Sequence, residues 1–530
     1  MKPLNLIFCV LLGTGIVLGQ SNGQNANSTD DAANTTTQIN ALQSAIAQQQ
    51  TQIEELQRKL EQSNNPVPKV VNATMNTGAS AAAGLPQSEA EKAKESPLSF
   101  RIGGADFTPG GFLDFTSIFR TVNTGNIGTN FFNIPFNNTS NGQLTETRFT
   151  AQNSRISLKA SDKFKGNDVT GYVEADFNGN DPANIFVTSN SHTMRMRLYW
   201  LDLKHGPWEI LGGQSWSWLT PNRVGLSPVP SDIFYTQNMD LNYQVGLTWT
   251  RAAQFRVAFH PNKNLALGVA LENPQQFIGQ ANMVVLPAGF TAAPNNLASQ
   301  FDAGNNAATP NLHPDIIPKI AYDADLGGKH FHVEAVGLLT SVKTTIQPPG
   351  TTTFVTNTKT GGGGSFNVNL EVLKGLRVIG NSFFSDGGGR YIFGMGPQAV
   401  VRPDGTPSLV QSGSGVGGVE YQLTPQTMIY GYYGGAYFNR NFFADTSTGG
   451  AGKIIGFGGP GEANNTAQNR AIQEGTIGWI QTLWKNPQHG ALQLITQASY
   501  LTRAPWFVAA GSPRNAHLTM GWADLRFTLP

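Results

Sequence analysis

From Leu98 onward, hydrophobic and polar positions alternate with a period of two, in runs separated by Gly-, Asn- and Pro-rich turn signals. Over residues 169–178 one face carries Val169, Gly171, Val173, Ala175 and Phe177. The other carries Thr170, Tyr172, Glu174, Asp176 and Asn178. Over 254–260, Phe255, Val257 and Phe259 oppose Gln254, Arg256 and His260, and over 193–199, Met194, Met196 and Leu198 oppose Arg195, Arg197 and Tyr199. Arginines and carboxylates on one face, with lipid-like side chains on the other, invert the soluble barrel: hydrocarbon lies outside and water inside. The alternation slips between Gln152 and Arg155, which predicts a bulge. The expected fold class is all-β, a transmembrane antiparallel β-barrel of about sixteen strands with short turns at one end and long loops at the other. Loops are expected at 124–142, 274–314, 347–364, 401–415 and 445–468.

A different period precedes the strands. Ile39, Leu42, Ile46, Gln49, Ile53, Leu56 and Leu60 step by three and four, the seam of a short N-terminal coiled coil. At 1.5 Å per residue it spans about 33 Å, too short to be stable alone, so it needs partner helices from other copies. Ile at the a positions with a polar Gln49 layer suits a trimer; a lone surface helix packed on its own barrel is the plainer reading. Pro66 and Pro68 end the helix. Lys2, the apolar run to Leu18 and the small Gly19 read as a secretory leader. The expected organisation is signal peptide 1–19, polar segment 20–38, periplasmic coiled coil 39–62, flexible linker 63–97 and barrel 98–530.

Composition narrows the function. Only 13% of residues are charged and the net charge is +1, which gives no basic field for nucleic acid. The single cysteine, Cys9, lies in the leader, so disulfides, thiol catalysis and thiolate metal sites are excluded together. A secreted, cysteine-free chain suits a Gram-negative envelope, although a large soluble β-sandwich shares this composition.

A passive pore needs no nucleophile and no cofactor, only inward side chains that offset a solute's lost hydration. Arginines favour anions and grip carboxylates with a planar fork, and facing carboxylates build a transverse field. The candidate pore-lining residues are Arg120, Arg148, Arg155, Arg195, Arg197 and Arg256, with Asp114, Glu174 and Asp176 as opposing acids. The alternative is that they pair to brace the wall. No catalytic or metal site is expected: His330 and His332 read as a solvated pair without a further ligand. Gly361 to Gly364 lack a P-loop lysine and read as a loop-to-strand turn. Glu174 and Asp176 read as face neighbours rather than a glycosidase pair. Trp200, Trp208, Trp216, Trp218, Trp249, Trp479, Trp484, Trp506 and Trp522 fall near strands, where interface girdles or ordinary core would use them.

Four strings then carry a resemblance: Thr147-Arg148-Phe149-Thr150-Ala151-Gln152-Asn153-Ser154-Arg155, Gly171-Tyr172-Val173-Glu174-Ala175-Asp176-Phe177, Gly212-Gly213-Gln214-Ser215-Trp216-Ser217 and Asp386-Gly387-Gly388-Gly389-Arg390-Tyr391. Their order, with leader and coil, resembles the DcaP-like family of trimeric Gram-negative outer-membrane porins. The resemblance implies a sixteen-stranded homotrimer with a periplasmic stalk, embedded in outer-membrane lipid and passing small anionic, dicarboxylate-like solutes. One departure is the ending Phe527-Thr528-Leu529-Pro530, where many barrels finish on an aromatic. A neutral-sugar porin, or a secreted β-rich adhesin or carbohydrate-active enzyme, are the alternatives. Replacing Ile46 and Ile53 by Asp buries like charges in the seam, so the helical signal should fall, while the barrel's own wall contacts can suffice to keep the trimer. If helical signal and oligomer size are both unchanged, the segment is not an intersubunit coil.

Overall fold

The computed structural model describes residue 48 and residues 96–530, except 126–133, 180–190, 229–243, 280–282, 304–309, 394–395 and 461–466. The expected leader, polar segment, coiled coil and most of the linker lie outside the described residues, Gln48 apart. In chain order the strands are β1 (Phe100–Ile102), β2 (Ala105–Arg120), β3 (Glu146–Thr150), β4 (Arg155–Phe164), β5 (Asn167–Asp176), β6 (Arg195–His205), β7 (Trp208–Trp216) and β8 (Arg251–Phe259). Next come β9 (Leu265–Glu272), β10 (Asp315–Asp325), β11 (His330–Ile346), β12 (Val355–Leu373), β13 (Leu376–Asp386), β14 (Ala399–Val401) and β15 (Pro407–Leu409). The last are β16 (Gln411–Thr424), β17 (Thr427–Phe438), β18 (Asn441–Ala444), β19 (Ile454–Phe457), β20 (Asn469–Asn486), β21 (Gly490–Pro505) and β22 (Ala516–Thr528).

Sixteen of these form one closed antiparallel barrel. Each pairs with its neighbour in sequence, and β2 meets β22 from Phe112 opposite Thr528 to Arg120 opposite Met520. Two-residue turns punctuate one end. At Lys165-Gly166 both φ angles are positive, the backbone of a twist-matched hairpin turn. The other end carries the long loops, two of which fold their own hairpins, β14–β15 and β18–β19.

The alternation decides which way each side chain points. On β8, Phe255 is 50% exposed on the outer face, whereas its neighbour Arg256 is 2% exposed on the inner one. Between the loops lies an apolar core that includes Phe136, Ile278, Phe290, Phe301, Val400 and Phe457.

The slip expected between Gln152 and Arg155 is a break between β3 and β4. Both strands pair with β2, and Ser154 Oγ accepts from the Asp114 N–H at 3.0 Å. A second slip was hidden. At Arg197 the pairing steps from Glu174–Leu198 to Ala175–Met196, so the bulge turns Leu198 inward (0% exposed) and Tyr199 outward (44%). These two residues are therefore on the faces opposite to those the strict alternation assigned.

Gly361 to Gly364 are not a turn. They lie inside β12, Gly361 opposite Thr340, and a Cβ at Gly361 would strike the Asp386 carbonyl and the Leu409 side chain. The glycines thus admit the β15 hairpin close against the wall, and the loop expected over 347–364 shrinks to 347–354. Likewise β14, β15 and the start of β16 occupy most of 401–415.

Because Tyr199 faces outward, Tyr199→Arg should cost about 2–4 kcal/mol if it lies at mid-bilayer depth. Barrel unfolding followed by heat-dependent gel migration measures this; a neutral substitution would return Tyr199 to the inner face.

Candidate functional site

The inner wall of β3 to β6 is organised by arginine. Arg197, placed by its bulge, reaches Glu174 Oε1 with Nε at 2.7 Å and Asp176 Oδ2 with Nη1 at 2.9 Å. Arg195 grips Asp176 with both edges of its fork, Nη2 at 2.6 Å and Nε at 3.0 Å. Arg155 stands 3.7 Å from Glu174, and the Tyr172 hydroxyl donates to the second oxygen of Glu174 at 3.0 Å. Three arginines thus share two carboxylates. Arg120 and Arg148 share Glu146 at 2.9 and 2.8 Å.

Asp114 pairs with Arg526 at 2.8 Å, and that guanidinium lies 3.9 Å from the Phe112 ring centroid. Arg256 has no carboxylate within ion-pair distance among the described residues. It lies over Trp218 at 5.5 Å and feels Glu209, Asp202 and Glu272 at longer range. All nine candidate residues are therefore on the inner face, eight of them against a named ionic partner and most of them buried. Arg148 and Arg195 retain the most exposure, 34% and 25% of the side chain.

Sequence reasoning missed the segment that fills the interior between β7 and β8, of which residues 217–228 and 244–250 are described. Its polar backbone must find partners away from water, and wall carboxylates supply them. Glu272 accepts from the Trp218 N–H at 2.9 Å, Glu334 from Asn222 at 3.2 Å, Asp323 from Gly225 at 3.0 Å and Glu474 from Val245 at 2.8 Å. Arg223 forms a two-pronged ion pair with Glu420 of β16, at 2.7 and 2.9 Å.

At Gly246, φ is +95°, and any Cβ would collide with the backbone of Gly415 and Gly435. Glycine is what lets the segment lie flat on the wall. Beyond it, the 386–391 string forms a tight turn whose Arg390 and Tyr391 both hold Asp315 of β10. The one local signal is the adjacent apolar pair Trp218-Leu219, both buried, which a strand alternating between two faces would not carry.

One expectation changes here. His332 is not solvated: it is fully buried, with Nδ1 2.7 Å from Asp323 and Nε2 3.2 Å from Glu334, which also pairs with Lys319 at 2.8 Å. His330 is partly exposed beside it. Among the described residues no cluster has the makings of a metal site. Of the tryptophans, Trp208, Trp479 and Trp484 face outward as a girdle would require, whereas Trp200, Trp216, Trp218, Trp249 and Trp522 are buried on the inside.

No family model matches the chain, and none of the curated proteins does. Among solved structures it is similar to the outer membrane channel DcaP of Acinetobacter baumannii, with 15% identity and a TM-score of 0.55 over 80% of this chain and 97% of that one. OprB of Pseudomonas putida follows at 12% identity and TM-score 0.45, covering 80% and 94% of the two chains. An anion-selective porin from Comamonas acidovorans has 10% identity and TM-score 0.42, covering 80% and 99%. Identity this low speaks for a shared fold alone, and that comes from the first structure.

The Arg223–Glu420 pair ties the inner segment to the far wall, so Arg223→Ala should cost about 3 kcal/mol by taking the cation from a buried carboxylate that keeps the Tyr432 hydroxyl as a donor. Arg223→Ala with Glu420→Gln should recover much of that loss. A double-mutant cycle on unfolding checks this, and purely additive losses would show that the pair does not hold the segment.

Proposed function

We propose that the chain is an outer-membrane porin: a homotrimer with a periplasmic N-terminal stalk, whose barrels pass small hydrophilic solutes by passive diffusion. The observation that carries this reading is the inverted wall. Ile477, Phe149, Phe384 and Tyr433 are 68%, 67%, 64% and 61% exposed on the outer face, while the ionic residues turn inward. A secreted adhesin or soluble enzyme would leave no such band open to water, whereas hydrocarbon would cover it.

The preferred solutes on this reading are anions, dicarboxylates among them. In the cluster shared by β2 to β6, five guanidinium groups, Arg120, Arg148, Arg155, Arg195 and Arg197, face three carboxylates, Glu146, Glu174 and Asp176, and the two more exposed arginines are Arg148 and Arg195. Across the barrel Glu334, Glu420 and Glu474 on β11, β16 and β20 also turn inward, but Glu334 is met by Lys319 and Glu420 by Arg223, so the arginine cluster carries the anion preference. A neutral-sugar channel would need open aromatic faces, and Tyr172, Trp200, Trp216 and Trp249 point inward. They are only 4–8% exposed, because they pack on one another and on Leu247.

Changing Arg148 and Arg195 together to Gln removes two positive charges per subunit and leaves Arg197 to hold Glu174 and Asp176. In planar bilayers the reversal potential should move toward cations at 0.1 M salt. The shift should shrink at 1 M, where the Debye length falls from about 10 Å to about 3 Å. Unchanged selectivity at low salt, with the oligomer intact, would reduce these arginines to wall braces.

A further inference from the structure

One cationic cluster belongs to neither the lumen nor the inner segment. Arg440, just beyond β17, holds its guanidinium 5.5 Å from the Trp506 ring centroid and 5.8 Å from that of Phe442. Arg470, the bulged residue between Asn469 and Ala471 on β20, lies 5.9 Å from the same Trp506 ring. Trp506 is fixed between them, since its indole N–H donates to the Phe438 carbonyl at 2.9 Å and Tyr437 meets it edge-on at 5.9 Å.

Both arginines are exposed, and neither guanidinium has an ion pair or a hydrogen bond among the described residues. This separates them from the carboxylate-bound arginines of the inner wall. A guanidinium over an indole face keeps its N–H edges available for a planar, multi-oxygen anion.

The position supplies a second argument. Arg440, Arg470 and Trp506 stand where β17, β20 and β21 meet the long loops, above the outer face. Two outward rows below Ala471, Gly475 lies in register between the outward tyrosines Tyr433 and Tyr500, which are 61% and 52% exposed. A glycine between two aromatics leaves a shallow furrow there, and the exposed Gln473, opposite Gly435 and Thr502, stands in the one row between it and the arginines.

We infer that Arg440 and Arg470 bind the phosphate of an anionic lipid headgroup in the leaflet at the long-loop end, with an acyl chain in the furrow over Gly475. The inference rests on the outer-membrane placement proposed above and not on channel activity. A soluble anion would use the arginines alone; a lipid uses the arginines and the furrow together.

The test uses the full-length oligomer in detergent, titrated with diphosphorylated lipid A, with the same lipid enzymatically dephosphorylated, and with inorganic phosphate, read by native mass spectrometry. The expected result is saturable binding of the phosphorylated lipid, near background binding of the dephosphorylated one, and no displacement by millimolar phosphate. Arg440→Gln with Arg470→Gln should weaken binding about thirty-fold, at roughly 1 kcal/mol per arginine. Lys263→Gln, in the turn at the opposite end, should bind as wild type does.

Should the double variant fail to assemble, Arg470→Gln alone should still weaken binding about five-fold. Wild-type affinity in the assembled arginine variants would overturn the lipid site, as would equal binding of the dephosphorylated lipid. Displacement by free phosphate would reassign the pair as a soluble-anion site. Conductance recorded on the same samples keeps the two readings apart: a silent bilayer with this lipid-binding pattern counts against the channel and leaves the lipid site standing.

Discussion

A sheet closed on itself has no free edge, and the amides of every wall strand find a partner strand. Closure of β2 on β22 is therefore the constraint from which the rest of this structure follows. It fixes an inside and an outside, and the two-residue period of every strand then sorts side chains between them. The bulge at Arg197 and the break before Arg155 are tolerated because ladder pairing resumes on both sides of each, so neither opens an edge.

A closed wall with ionic side chains inside raises an electrostatic problem, and the protein solves it differently in two regions. Around β5 and β6 the arginines are held by carboxylates on the same wall, with Arg197 bridging Glu174 and Asp176. Buried pairs of this kind add little net stability, because both partners have been taken out of water. What they supply is position: each guanidinium has one orientation. From β9 to β20 the wall carboxylates instead reach into the interior and hold backbone N–H groups of the segment between β7 and β8. Polar wall chemistry thus does for this inner segment what a hydrophobic core does for a soluble loop, with Trp216 packed against Trp249 at its base, the rings tilted by 38°.

Conformational freedom is confined in the same way. Gly246 presses against Gly415 and Gly435, and Gly361 makes room for Leu409, so the small residues mark places where inner structure touches the wall. In a strand such glycines weaken local order. Here they permit close approaches that no larger residue could make.

The sequence by itself determined the barrel, its inside-out polarity and the inner face of residues such as Arg256, Glu174 and Asp176, because a period of two is a local property that adjacent residues carry in full. It also exposed the slip before Arg155, where polar residues crowd together. Three things were decided only by tertiary structure. Leu198 and Tyr199 exchanged faces because a bulge is set by pairing with a neighbouring strand. Gly361 to Gly364 joined β12 because the space above them is filled by a hairpin some forty residues away in sequence. His332 and the segment from Ser217 were drawn inside by carboxylates on β9, β10, β11 and β20, partners whose separation along the chain leaves no trace in any local pattern.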